Sequence, residues 1–298
     1  MRVSSILFAV VAIVLVISAL CIWFYPSAQD FMANNTMWNG LRSFNSEFGA
    51  DNIDSLDDLP AFPDKAVLVA IPYLEYSDEE LSKLKRFVDN GGTLLLMDDY
   101  GYGNSVLAYL GVSARFTNKP LLDPLFSYKN QSIPRVMDFA PGSKDGDIDV
   151  IMLNHATTLT GVMDSGAIAF SSSASFLDVN ENMSWDQGEL KGPFVVAAQL
   201  RLGKGTLALV SDPSILINTM IGRDNNYNFM KHLMHSGGEK NRILVDRSHL
   251  IQTPLDISKA RLIGAREMLS SPYALVGIIA IIFVAVSRYI LKKEKAIG

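Results

Sequence analysis

The chain has 298 residues, 49% of them hydrophobic and 19% charged, with 26 basic and 31 acidic side chains and a formal net charge of −5. This mildly acidic balance argues against nucleic acid or an anionic lipid surface as a partner of the main body. The one cysteine, Cys21, lies in an apolar run, so the remainder has no disulfide, thiolate nucleophile or Cys-based metal site.

The first element is that apolar run, Ser4 to Phe24, with no charged residue inside it. About 20 apolar residues in a helix cross the hydrocarbon core of a bilayer. A cleaved signal peptide is the rival reading. Its apolar region is normally only about 7–15 residues and ends at small residues. Here the run is longer and ends in Trp23, Phe24 and Tyr25, which suit the headgroup level. Residues 1–25 are therefore predicted to be a retained anchor. A second apolar run, Tyr273 to Leu291, is followed by Lys292, Lys293 and Lys295. With Arg2 before the first run, the positive-inside rule puts both termini in the cytoplasm. Segment 26–271 then lies outside the cytoplasm, 272–291 is a second span, and 292–298 is a basic cytoplasmic tail. Segment 26–271 carries 30 of the 31 acidic residues but only 21 of the 26 basic ones. The expected setting is a prokaryotic plasma membrane, bacterial or archaeal, with the lipid bilayer as first partner.

Within the middle segment, 36–49 spaces Trp38, Leu41, Phe44 and Phe48 on one helical face. Residues 50–65 read as a loop. Ala66–Ile71 is a continuous apolar run that fits a strand buried on both faces of a parallel sheet. Ser77 with Glu80 forms a capping box; Leu81, Leu84 and Val88 give the helix an apolar stripe, and Gly91-Gly92 end it. Thr93–Met97 is the next buried strand, which completes a βαβ unit. Asp98-Asp99-Tyr100-Gly101-Tyr102-Gly103 leads into a helix near Asn104–Leu110. Residues 115–150 read as irregular, and Ala167–Phe170 as a short strand. Phe194–Leu202 and Thr206–Val210 flank Gly203-Lys204-Gly205 as a hairpin. A helix at about 214–221, another from Asn226 to Met234, and a strand at Arg242–Val245 follow. Residues 250–272 connect to the second span. This order predicts an α/β domain with a mostly parallel, flavodoxin-like or Rossmann-like sheet.

Several of these stretches resemble a known family. They are Ile71-Pro72, SDEELSKLKRFVDNGGTLLLMDD at 77–99, Phe170-Ser171-Ser172, GKGTLALVSDPSILIN at 203–218, and Asp224-Asn225. The chain looks like the domain of unknown function 4350 family of the class I glutamine amidotransferase-like superfamily, over about 36–250. It is also similar to the extracytoplasmic domain of GldG-type accessory subunits of ABC transporters. The resemblance implies a flavodoxin-like sheet and a membrane location. It does not bring amidotransferase chemistry, which needs a Cys at a nucleophile elbow with a His partner.

Ligands of open α/β sheets bind beyond the carboxyl ends of the strands. Four stretches are expected to meet there: Pro72-Tyr73, Asp98-Asp99, Ser171-Ser172-Ser173 and Ser211-Asp212. The ligand-binding candidates are Asp98, Asp99, Ser171, Ser172, Asp212, Asn218 and Asn225. Against this, each Asp can simply cap the chain that follows, and the Asn residues can fix loops. Gly101-Tyr102-Gly103-Asn104 invites a phosphate at a helix start but lacks the rest of either phosphate-binding motif. Asp145, Asp147 and Asp149 only superficially resemble a calcium loop. His232 and His235 lack the further ligands of a zinc site. Asp246 and His249 with a distant serine would imitate a triad, but nothing in the sequence places a serine beside them. Asn34, Asn130 and Asn182 begin N-x-S/T triplets and are glycosylation candidates. No catalytic residue, metal or cofactor is expected. The reading is a non-catalytic ligand-binding or accessory subunit of a transporter-like membrane complex. The alternatives are a metal-assisted hydrolase or transferase at the strand ends, or a structural envelope protein.

Overall fold

The computed structural model describes residues 3–25, 27–142, 146–234 and 241–271, with positions 273, 276, 277, 279, 280 and 283. The expected second span and basic tail therefore lie almost wholly outside the described residues, as do Asp145 and His235. In chain order the helices are α1 (Val3–Phe24), α2 (Arg42–Phe48), α3 (Asp78–Asp89), α4 (Asn104–Tyr109), α5 (Asn226–Met234) and α6 (Pro254–Ser270). The strands are β1 (Asp51–Ile53), β2 (Ala66–Ala70), β3 (Thr93–Met97), β4 (Arg115–Phe116), β5 (Leu121–Leu122), β6 (Arg135–Val136), β7 (Asp138–Phe139), β8 (Ile151–Met152), β9 (Leu159–Thr160), β10 (Ala167–Phe170), β11 (Phe176–Leu177), β12 (Val195–Leu202), β13 (Gly205–Val210) and β14 (Arg242–Asp246). The chain divides into two units, one of Met1–Ser27 with Gln252–Gly298 and one of Ala28–Ile251.

The larger unit is an α/β domain with a mixed, mostly parallel sheet in the order β1-β14-β2-β3-β13-β12-β10-β7. The first five strands are mutually parallel, and β12, β10 and β7 continue the sheet antiparallel. The inner parallel strands β14, β2, β3 and β13 are buried at nearly every position, as fits a sheet with both faces covered, and the pleat sends alternate side chains to opposite sides. On one face Leu244, Leu68, Leu94 and Leu207 stand in register across four strands. They share a core with Leu81, Leu84, Phe87 and Val88 of α3 and with Val106 and Leu107 of α4. On the other face Val245, Val69, Leu95 and Ala208 pack with Phe44 and Phe48 of α2 and Phe229, Met230 and Leu233 of α5. Leu94 is fully buried, and truncating such a leucine to alanine costs about 2–5 kcal/mol.

Local signals explain α3 and the hairpin. Ser77 Oγ accepts from Glu80 N while Glu80 Oε2 accepts from Ser77 N at 2.8 Å. The β12–β13 hairpin turns at Gly203, whose φ of 60° suits glycine. Elsewhere the sequence expectation needs correction. Only 42–48 of the segment 36–49 is helical, and Trp38 lies outside the helix, 60% exposed. The supposed loop 50–65 holds β1 and a 3-10 turn at Leu56–Asp58, capped by Ser55. The irregular stretch 115–150 contains β4 to β7, each two residues long. The helix expected at 214–221 is a 3-10 turn, Pro213–Leu216, because Asp212 accepts from Ser214 N and Pro213 follows immediately.

In the smaller unit, α1 holds one stretch, Ile6–Phe24, long and apolar enough to cross a membrane. Residues 254–270, expected to be a plain connector, form α6. Thr253 and Asp256 make its capping box, and Asp256 Oδ1 also accepts from Ser27 Oγ at 2.6 Å. Lys259 Nζ donates to the Tyr25 carbonyl, and the Arg266 guanidinium lies 5.9 Å from the Trp23 ring centroid.

Candidate functional site

Beyond the carboxyl ends of β2, β3 and β13, buried aspartates hold the loops. Asp98 is 2% exposed. Its Oδ1 accepts from Tyr100 N at 2.8 Å and Gly101 N at 3.0 Å, and its Oδ2 accepts from Gly103 N at 2.6 Å. Gly101 adopts φ 91°, and a Cβ at Gly103 would lie 3.1 Å from Asp98 Oδ2, so both glycines serve this turn. Burial pushes the Asp98 carboxyl above its ordinary pKa, against the pull of those amides. The amides that would have cradled a phosphate are thus taken from inside by a carboxylate. Asp212, fully buried, accepts from Ser214 N at 2.7 Å and Asn154 N at 2.6 Å. Burial raises its pKa to about 8. Asp123 and Asp178, also fully buried, receive loop amides from Leu125 and Phe126 and from Asn182 and Met183.

Asp99, one residue after Asp98, has a different environment. It is half-buried, and among the described residues no other residue donates a hydrogen bond to it. Burial, then the neighbouring Asp98 charge, raises its pKa to about 7. Asp99, Tyr100 and His155 are shared by two adjoining cavities of about 310 and 180 Å³. The larger is completed by Asn118, Lys119, Pro120, Ala156 and Glu181. Asp30, Phe31, Trp38, Asn39 and Tyr73 are among the residues that complete the smaller one. Rings form much of its wall: Phe31 and Tyr73 lie 5.8 Å apart between centroids, and Tyr73 and Tyr100 5.6 Å. Burial, and after it the Asp99 charge, pushes the Tyr73 and Tyr100 hydroxyls above their ordinary pKa. This cleft is accordingly electronegative.

Its walls come from segments joined by long-range bonds. Leu121 N donates to Ala156 O and Thr157 Oγ1 to Lys119 O, which brings 118–120 beside 154–156. Asp212 anchors Asn154 and thereby sets the turn that carries His155. Among the described residues seven non-glycine residues have positive φ, and four of them line this cleft: Phe31 (58°), Asn118 (54°), His155 (58°) and Glu181 (61°). Such backbone costs about 1 kcal/mol or more per residue and gathers at binding and catalytic sites.

A second polar group sits where β14 meets α3. Asp246 Oδ2 accepts from Tyr76 OH at 3.0 Å and lies 2.7 Å from His249 Nδ1; Asp246 Oδ1 accepts from Ser248 Oγ at 2.5 Å. Tyr76 stacks on the His249 ring at 3.6 Å, and His249 Nε2 is 3.6 Å from Glu80 Oε1. Asp246, His249 and Tyr76 are all buried. A triad requires serine and aspartate on opposite ring nitrogens. Here the serine is adjacent Ser248, 3.0 Å from Nδ1, the nitrogen that also meets Asp246. The group is a tie between strand and helix.

Of the residues singled out from sequence, Tyr73 and Asp99 line the cleft, while Asp98 and Asp212 shape it from behind. Ser171 and Ser172 do not line it: Ser171 Oγ accepts from Phe194 N at 2.9 Å, and Ser172 Oγ donates to Asp123 Oδ2 at 2.5 Å. Asn218 bonds Ser43 N and the Asn35 carbonyl, and Asn225 accepts from Asp149 N and Val150 N; both fix loops. The side chains of Asn34, Asn130 and Asn182 are exposed. No group of three or more His, Cys, Asp or Glu among the described residues is placed to hold a metal. His155, Asp30, Lys119 and Glu181 were not anticipated. The available signals were polar residues beside short apolar stretches, as in LNHA at 153–156, which carry no periodicity.

Comparison with known proteins adds the following. The chain is similar to the solved "mmIFT52 N-terminal domain", with 16% identity, a TM-score of 0.53, and coverage of 71% of this chain and 96% of that one. It also matches part of the GH42 β-galactosidase Gan42B, with 16% identity, a TM-score of 0.34, and coverage of 69% of this chain but only 27% of that one. The β-galactosidase from Bacillus circulans sp. alkalophilus matches with 12% identity, a TM-score of 0.32, and coverage of 56% of this chain and 22% of that one. At these identities the likeness to the first concerns the fold alone. No curated protein matches. The model of the domain of unknown function DUF4350 matches residues 33–234, more than half of the sequence, and the chain therefore belongs to the DUF4350 family.

Proposed function

We propose that this protein is a non-catalytic ligand-binding or accessory subunit of a transporter-like membrane complex, with its ligand in the Asp99 cleft. In this reading the α/β domain, flavodoxin-like in outline, stands outside the cytoplasm between two membrane spans, in a prokaryotic plasma membrane. Exposed Asn34, Asn130 and Asn182 are open to glycosylation where the host has the machinery. The observation that carries the proposal is Asp99: a half-buried carboxylate that receives no hydrogen bond from another of the described residues, in a ring-walled cleft built partly from strained backbone. Proteins seldom leave such a group unpaired without use. A catalytic reading fares less well, because His249 is enclosed between Asp246, Tyr76 and Glu80. Gentle extraction of the tagged chain from its native membrane, with mass spectrometry of everything that co-purifies, tests the proposal. Stoichiometric permease or ATPase subunits, or a small molecule lost on Tyr100→Ala, are the expected results. A solitary, ligand-free protein that turns over a substrate would overturn it.

A further inference from the structure

We propose that the Asp99 cleft binds an organic cation of the quaternary ammonium class. This rests on the reading of the cleft as a binding site and adds the chemistry of its occupant.

Consider the charges first. Asp30, Asp99 and Glu181 line the two cavities, with Lys119 the one lysine or arginine among the described residues on the same walls. Lys119 Nζ lies 4.0 Å from Glu181 Oε1, so its charge is already engaged. Asp30 accepts from Asn39 Nδ2. Among the described residues, Asp99 alone of these three carboxylates makes no hydrogen bond or ion pair with another residue, and it is the more buried of the two aspartates. An anion would meet this field unfavourably. A neutral ligand would leave the half-buried charge uncompensated, and desolvation of an unpaired charge is costly. A cation removes the deficit. Its burial-raised pKa reports the same deficit.

The rings then select the kind of cation. Phe31, Trp38, Tyr73 and Tyr100 surround the smaller cavity. The Phe31–Tyr73 and Tyr73–Tyr100 pairs are inclined by 38° and 55°, so the rings that line this cavity are not coplanar. Inclined faces with one nearby carboxylate suit a trimethylammonium group, which is held by the ring quadrupoles and needs no acceptor of its own. A primary ammonium carries three donors and calls for several acceptors, while a divalent metal calls for several oxygen ligands at short range. One free carboxylate meets neither demand. The volume is sufficient: the smaller cavity holds about 180 Å³ and shares Asp99, Tyr100 and His155 with the larger one of about 310 Å³, which leaves room for a polar tail near His155 and Lys119.

The test uses the full chain in a nonionic detergent and isothermal titration calorimetry with two probes of the same shape. One is choline; the other is 3,3-dimethylbutan-1-ol, in which carbon replaces the charged nitrogen. Choline is expected to bind at least ten-fold more tightly. Asp99→Asn and Tyr100→Ala should each weaken it ten-fold or more, and Lys119→Ala should not weaken it. Circular dichroism of each variant establishes that it is folded. Equal affinity for the two probes, no heat from choline, or undiminished binding by folded Asp99→Asn would overturn the proposal. Tighter binding of ethanolamine than of choline would overturn the quaternary assignment. If choline gives no heat but a neutral molecule co-purifies and is lost on Tyr100→Ala, this inference fails while the binding reading stands.

Discussion

Two polar groups lie near the carboxyl edge of the same sheet, joined by a bond from Tyr73 N to the His249 carbonyl. Their contrast is instructive. At the β14–α3 corner Tyr76, Ser248 and His249 Nδ1 all meet the Asp246 carboxylate, and His249 Nε2 lies 3.6 Å from Glu80. In the cleft, Asp99 is left without a partner from another of the described residues, and two of the rings on its walls stay accessible, with Tyr100 54% and Trp38 60% exposed. The first arrangement gains its stability from closure. The second keeps bonding capacity in reserve. A sequence containing Asp, His and Ser within four residues advertises chemistry at the corner, yet the chemistry that remains available is in the cleft.

Four substitutions break or sharpen that contrast, beginning with the strongest. Asp246→Ala strips the shared acceptor from three side chains and should lower the unfolding free energy by about 3–5 kcal/mol, read by urea denaturation. A loss below about 1 kcal/mol would mean that the corner does not hold helix to strand. Burial pushes the Asp246 carboxyl up, but its bonds to His249, Ser248 and Tyr76 outweigh this and leave its pKa below the ordinary value. An acid depressed by folding stabilises above its unfolded pKa. In the wild type that contribution should therefore vanish as pH falls below about 4. Asp98→Ala frees three loop amides and should cost about 2–3 kcal/mol in the same assay. Choline binding should weaken with it, because the Tyr100 loop is no longer fixed.

Asp99→Asn should act in the opposite direction. The Asp99 pKa is raised to about 7 in the folded protein. The folded state then holds more protons than the unfolded one from about pH 4 to pH 7, and wild-type stability falls as pH climbs through that window. Asparagine removes the penalty. It should raise stability at pH 8 by about 1–2 kcal/mol, after allowance for partial solvent screening, and change little at pH 4. A destabilised Asp99→Asn at pH 8 would show that the carboxylate is an internal tie like Asp246. The smallest effect on stability is expected for Tyr100→Ala, within about 0.5 kcal/mol, although choline binding should drop sharply.

Much of the fold was legible where the information is local. β2, α3 and β3 follow from two apolar runs and a capping box, and the β12–β13 hairpin from glycines between alternating segments. The strands between 115 and 160 were not legible, because two-residue strands have no periodicity and owe their form to distant partners. The site was legible in its rim and opaque in its centre. Asp98 and Asp99 are equivalent in sequence; which one caps the loop and which one faces the cleft depends on the pleat and on Gly103. His155 reaches the cleft because Asp212 anchors Asn154, 58 positions before it, which no short-range pattern encodes. Ser171 and Ser172 end their strand as expected, but β12 lies between β10 and the parallel core and their hydroxyls are consumed locally.

The rims of the large sheet carry one more consequence. Its outermost strands, β1 and β7, are three and two residues long, and Asp51 and Asn52 of β1 are exposed. A rim that short presents too few free amides and carbonyls to template an incoming strand, and a charge on it discourages pairing further. The domain is thereby insulated against fibrillar growth through its sheet. Copies crowded together on one surface can meet through helices and loops without zipping into a continuous ribbon.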